Sequence, residues 1–281
     1  MRMLKIGDFN TLKVKRMSRG GCYLDGGDRE IYLPKAETPK RAVPGTSLQV
    51  FVYNESKNTL GATTRQPLAK VGDFAPLRVV STTEFGAFMD WGIGKDLFVP
   101  KKNWLHSLHA GDRVITYLML DFERSGVIGT CRLEPYFDRD TSKLDFNQEV
   151  DLLVWEKTKL GVMVVIDNRY EGLLYHGEIF EPVKIGDRKT GYIKKVREDG
   201  LVDVILQPQG FKPAAEQASH TILTALKRSG GFLPLHDKSE PQEIYEQLRM
   251  SKKLFKKTIG SMYKQHQITI RDDGIELIRS E

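Results

Sequence analysis

Flat aromatic rings and ammonium groups are the side chains of this sequence whose types and spacing could do chemistry, and that chemistry is non-covalent. Phe88 stands two residues before Asp90, and Phe98 two residues after Asp96; Tyr23 precedes Asp25 in the same way, and Tyr32 takes the place of Phe98. A ring that shares a strand face with a carboxylate points away from an interior, because burying an unpaired charge is costly. Rings on two neighbouring outer strands make a platform for nucleobases, each stack contributing about 1–3 kcal/mol whatever the base. Far along the chain, Lys252, Lys253, Lys256, Lys257 and Lys264 lie in a stretch, 247–267, with six Lys/Arg and no acid. Lysines grip phosphate as flexible point charges without reading sequence. A merely solvated helix face would mix signs for i,i+4 pairs, and this one does not.

No catalytic set accompanies these residues. The six histidines are scattered, and His106 and His109 have no Cys or further His nearby to complete a metal site. Gly20-Gly21 and Gly26-Gly27 serve turns, since no Gly-Lys-Ser/Thr follows to make a phosphate loop. Two cysteines, Cys22 and Cys131, exclude a disulfide framework or thiolate cage. The expectation is a binder that is not an enzyme, has no cofactor and no small-molecule substrate, and acts as a monomer. No apolar run approaches the ~18 residues of a membrane span, and MRMLKIGDF lacks a secretory h-region, so a cytoplasmic location is expected.

The elements that must position the rings come from a repeat. GDFNTLKV at Gly7 returns as GDFAPLRV at Gly72, and EIYLPK at Glu30 as DLFVPK at Asp96. Gly45 aligns with Gly111, while a third, diverged copy aligns Gly161 with Gly86 and Gly186-Asp187 with Gly111-Asp112. In the second copy five short strands with Gly-centred turns follow one another: Arg78–Thr82, Ala87–Trp91, Leu97–Val99, Arg113–Leu120 and Val127–Arg132, with a hairpin turn at 123–126. Five strands in about 65 residues fit the OB-fold, a partly open Greek-key barrel that binds oligonucleotides on its second and third strands. Alternation puts Ala87 and Met89 inside with Phe88 outside, and Cys22 and Leu24 inside with Tyr23 outside.

After 209–213 the period changes. Ile222, Leu223 and Leu226 mark a first helix ended by Gly230-Gly231; Ser239, ahead of Glu240-Pro241, caps a second; Ser251 caps a third, buried through Phe255, Ile259 and Met262. A hairpin of 267–270 and 275–278 around Asp272-Asp273-Gly274 completes a winged helix. The fold expected is mainly β with an α+β C-terminal domain: three tandem five-stranded OB barrels at 1–68, 69–137 and 143–208, then a winged helix at 212–281, with linkers at about 66–72, 134–146 and 207–213. Charge is uneven. Residues 1–70 carry 13 Lys/Arg against 6 Asp/Glu, 71–137 carry 7 against 8, 138–211 carry 11 against 14, and 212–281 carry 12 against 9. Positive charge at both ends suits a polyanionic partner.

The FGAF at Phe85–Phe88, the Gly-turn-Leu run after it and the Gly-Asp-Arg-Val before strand four resemble the RNA-binding module repeated in ribosomal protein S-one. The resemblance implies that Phe85 and Phe88 belong to an RNA face. It departs where a histidine is usual, since the second copy has Val99 and the third has Tyr175 followed by His176; either of the latter could face ligand. In the first copy Gly20 replaces the leading Phe, and the usual basic residue of strand five falls near Val127, with Arg124 close. Three such modules, a basic winged helix, and the strings IYLPK, FGAF and LLYHGEIF resemble the conserved virulence factor B family of bacterial RNA-binding proteins. That implies a regulator of other genes' expression that binds single-stranded RNA. A protein–protein adaptor on the ribosome or RNA polymerase is the competing reading, and DNA reading by the third helix is disfavoured because no Arg there could pair bidentately with guanine.

Overall fold

A computed structural model describes residues 4–56, 59–121, 126–179, 182–208 and 213–278, and separates two compact units, Met1–Pro208 and Gln209–Glu281. The hairpin turn at 123–125, Arg124, Phe180 and the linker residues 209–212 lie outside the described residues.

The first unit holds three five-stranded sets. The first comprises β1 (Asp8–Ser18), β2 (Gly21–Asp25), β3 (Glu30–Pro34), β4 (Ser47–Ser56) and β5 (Thr59–Thr63), closed in the order β1-β2-β3-β5-β4. The second comprises β6 (Phe74–Thr82), β7 (Gly86–Met89), β8 (Leu97–Pro100), β9 (Arg113–Asp121) and β10 (Gly126–Thr130). It stays an open sheet, β10-β9-β6-β7-β8, although Gly129 sits against the side chains of Val99 and Leu97. The third, β11 (Glu149–Lys157), β12 (Gly161–Ile166), β13 (Tyr170–Tyr175), β14 (Arg188–Val196) and β15 (Val202–Ile205), closes like the first. A parallel pairing of the third strand with the fifth, amid otherwise antiparallel neighbours, gives both closed barrels their Greek-key path.

One device recurs in all three. The first strand bulges after a buried valine, with register shifts between Val14 and Arg16, Val79 and Ser81, and Val154 and Glu156. The valine's two backbone groups, displaced from the ladder, are taken by a glycine turn: Gly45, Gly111 and Gly186 donate to the carbonyls of Val14, Val79 and Val154 at 2.7, 2.9 and 2.8 Å. The next residues, Thr46, Asp112 and Asp187, accept from the same valines. Each glycine has φ between 90° and 95°, which an L side chain rarely adopts.

The two expected linkers within the first unit are packed. Leu68 N–H donates to the Trp91 carbonyl, and the Trp91 indole donates to Ala69 O at 2.7 Å. Trp91 lies edge-on to Phe51 and Tyr53 of the first barrel, and Asn54 accepts from Val127 N–H in the second. Between second and third barrels, Phe137 stacks on Phe74 with centroids 5.0 Å apart and reaches Trp155, while Tyr136 stacks on Tyr117. Asn168, in the β12–β13 turn, accepts from Phe74 N–H at 2.7 Å and donates to Asp73 at 3.0 Å. Burial of this aromatic seam raises the Tyr117 phenol above its ordinary range.

The second unit comprises α1 (Pro213–Arg228), β16 (Phe232–Leu233), α2 (Pro241–Leu248), α3 (Lys252–Lys264), β17 (Ile268–Ile270) and β18 (Ile275–Leu277). Ile222, Leu226, Ile244, Phe255, Ile259 and Met262 form its core. Two details correct the sequence reading. Glu240, not Ser239, is the N-cap of α2, and Ser239 instead accepts from His236 N–H in the preceding turn. The wing has three strands in the order β16-β18-β17, because Phe232 and Leu233 pair with Glu276 and Ile275. Ser251 caps α3 as its sequence suggests, accepting from Leu254 N–H.

Asn168→Ala strips the partner from a buried Phe74 amide, so a loss of about 1–3 kcal/mol is expected in chemical denaturation. Unchanged stability would mean that the second and third barrels are held by the rings alone.

Candidate nucleic-acid interface

The rings predicted to stand outside do so because the barrel interiors claim their neighbours. Ala87 and Met89 are fully buried while Phe88 is half-buried on the opposite face, and Cys22 and Leu24 likewise enclose a half-exposed Tyr23. Across the β7–β8 ladder Phe88 pairs with Phe98, their centroids 5.3 Å apart; across β2–β3 Tyr23 pairs with Tyr32 at 5.4 Å. The same cross-strand position thus carries a ring pair in both barrels. Phe98 belongs to this pair. Phe85 leads the second platform with 72% of its surface exposed.

The first copy's missing leading ring has a steric cause. The Tyr32 hydroxyl donates to Gly20 O at 2.5 Å, and a Cβ on residue 20 would lie 2.7 Å from that hydroxyl. Phe98 has no such hydroxyl, so residue 85 can be a phenylalanine. Barrel one adds a group the sequence reading missed: the Arg16 guanidinium lies 3.6 Å from the Tyr23 centroid and donates to Glu30 through Nε and Nη2 at 3.0 and 2.6 Å. The Glu30 carboxyl is held below the usual range by that hydrogen bond, with Lys15 adding charge.

The third copy has no platform. Its equivalent pair is Met163 and Leu173, and Leu173 is only 3% exposed. Met163 packs against the Phe137–Trp155 seam, and the carboxylates beside it are engaged, Glu171 by Arg139 at 2.9 Å and Asp203 by Arg197 at 2.5 Å. Tyr175 lies at the end of β13, beyond the platform position, and accepts from Arg197 at 2.7 Å. His176 is exposed, its Nε2 3.2 Å from Thr158 O. Leu160, 64% exposed, stands where Phe85 does, immediately before the glycine that opens the second strand.

On α3 the five lysines do not act alike. Lys252 donates to Lys238 O and Lys256 lies 3.7 Å from Asp237, both turned toward the 236–238 loop. Lys253, Lys257 and Lys264, spaced i, i+4 and i+11, are exposed along one stripe opposite buried Phe255 and Met262. Elsewhere the chemistry is quiet. Cys131 is buried beside Thr116 with its thiol pushed up to about 11, and the Asp112 carboxylate caps a turn by accepting from His109 N–H. Among the described residues no group of three His, Cys, Asp or Glu could hold a metal, and no helix is long and apolar enough to cross a membrane.

Tandem OB barrels and a winged helix are domain types that bind nucleic acid. Residues 6–65 match the S1 domain and residues 220–277 the CvfB-like winged helix domain. The chain is 27% identical over 277 residues to the uncharacterised protein YitL of Bacillus subtilis, covering 94% of this chain and 91% of that one. It is 26% identical over 293 residues to conserved virulence factor B of Staphylococcus aureus, covering 98% and 94%. A multidomain protein with nucleic acid binding domains from Streptococcus pneumoniae aligns over 97% of this chain and 98% of its own, at 23% identity and a TM-score of 0.41. The chain thus carries an S1 domain and a CvfB-like winged helix domain, and proteins named conserved virulence factor B are similar to it over most of its length.

Tyr32→Phe is expected to cost about 1 kcal/mol through the lost hydrogen bond. Gly20→Ala should destabilise the wild type but become nearly neutral in the Tyr32→Phe background. Additive effects in thermal melts would show that the hydroxyl does not dictate residue 20.

Proposed function

We propose that the chain is a non-catalytic binder of single-stranded RNA that stacks bases on barrels one and two and holds phosphates with the winged helix. The observation that carries this reading is the ring pair at one cross-strand position in two barrels, outward over interiors filled by Cys22, Leu24, Ala87 and Met89. Stacking without hydrogen-bond readout of base edges makes the binding tolerant of sequence. RNA as the polymer, and a part in gene regulation, follow from the resemblance to ribosomal protein S-one modules and to the family. The packed joints between barrels support joint engagement of one strand, since fixed sites avoid the entropy of aligning loose ones.

Phe88→Ala should weaken binding of an oligouridylate by about 1–3 kcal/mol in free energy, roughly 5- to 150-fold, with a small change in melting temperature. A large fall in melting temperature would show that Phe88 is a core residue. Replacing Lys253, Lys257 and Lys264 together by Gln should lower the slope of log K against log salt by about 2, at about 0.7 per phosphate contact. An unchanged slope would remove α3 from the RNA site. No affinity for RNA at low salt would favour the adaptor reading.

A further inference from the structure

The three copies differ most sharply at the residue that follows the first-strand bulge. Arg16 pairs across the ladder with Tyr23, Ser81 with Phe88, and Glu156 with Met163. This residue flanks the central platform position, so it sets what a base meets there. Serine leaves the Phe88 ring uncovered from its own strand. Glutamate in the third copy repels phosphate and accompanies a position that has no ring. Arginine in the first copy does something different: its planar guanidinium occupies a face of Tyr23 at stacking distance, where a base would lie. Glu30, on the far strand of the same platform, fixes it there through two N–H groups on one carboxylate oxygen.

We propose that Arg16 is a latch on the barrel-one base site: Glu30 holds it closed over Tyr23, and RNA opens it by offering the guanidinium a phosphate in exchange for the carboxylate. The inference rests on the RNA-binding reading given above. Exposed ion pairs of this type hold weakly and are screened by salt, so the closed state is within reach of a competing anion. Arginine suits the exchange because one planar group can stack on a ring, fork onto a carboxylate and fork onto a phosphate. Barrel two, with Ser81 at the same place and Phe85 bare, has no latch and is the standing site. The strand therefore docks first on barrel two, and its phosphates then release the neighbouring site on barrel one.

The test is oligouridylate binding by the full chain across a salt series, for wild type, Glu30→Gln, Arg16→Ala and the double variant. Glu30→Gln should bind about two- to fivefold tighter, the range that loss of an exposed ion pair spans. Arg16→Ala should lower the salt slope by about 0.7, one single-strand phosphate contact. In the Arg16→Ala background Glu30→Gln should bring no gain. A gain that persists without Arg16 would assign it to Lys15, the other cation on Glu30 at 3.6 Å, or to lost acidity, and would overturn the latch. Unchanged affinity in Glu30→Gln, or a wild-type slope in Arg16→Ala, would overturn it as well. The parent reading stands through any of these results as long as Phe88→Ala weakens binding; a wild type that binds no RNA defeats both.

Discussion

The structure of the first unit depends on a bulge that each barrel makes after one buried valine. An extra residue in an antiparallel strand leaves backbone groups off the ladder and turns the strand's faces over. At Val14, Val79 and Val154 those groups are recovered by a turn whose glycine alone can adopt the needed conformation. Beyond the bulge, residues 16, 81 and 156 face outward beside the platform. Without it, simple alternation from the buried valine would send Arg16 and Glu156 into the core. The same geometric step therefore decides which chemistry borders the rings.

The second constraint is aromatic and lies between barrels. Trp91 ties the second barrel to the first, and the series Tyr136, Tyr117, Phe74, Phe137, Trp155 ties it to the third. Ring pairs of this kind contribute about 0.5–1.5 kcal/mol each beyond their burial. Two asparagines, Asn54 and Asn168, add hydrogen bonds to backbone amides of the second barrel from either side. The third barrel uses for this seam the surface that its relatives use for a platform, since Val165 and Leu153 are buried in it alongside Trp155. Its net negative charge fits that assignment, as does the pairing of Glu171 and Asp203 with arginines.

Much of this was legible in the sequence because period and burial agree there. Cys22 and Leu24 against Tyr23, or Ala87 and Met89 against Phe88, leave one assignment of faces once an aspartate shares the ring's side. Phe255, Ile259 and Met262 mark a helix core in the same way. What stayed hidden was non-local. The residues at the bulge, Lys15, Val80 and Trp155, share no chemistry, and the glycine that stabilises it lies far along the chain, so the outward turn of Arg16 has no local signature. Phe137 looks like part of a linker until the Trp155 surface it covers is known. The strand at Phe232–Leu233 is two residues long, too short for any period. Ser239 lost the α2 cap to Glu240 because its hydroxyl is engaged one turn earlier, by His236 N–H.

The seam between the second and third barrels bears on how modules of this size can stand at all. A module of about 60 residues buries only about 60% of its unfolded surface and is marginal alone. With Phe137 between Phe74 and Trp155, the third copy is a wall for its neighbour, whether or not it touches any ligand. Met163 and Leu173 stand in that wall at the cross-strand position where the other two copies carry ring pairs. The repeats thus divide their duties, and the third of them serves as masonry.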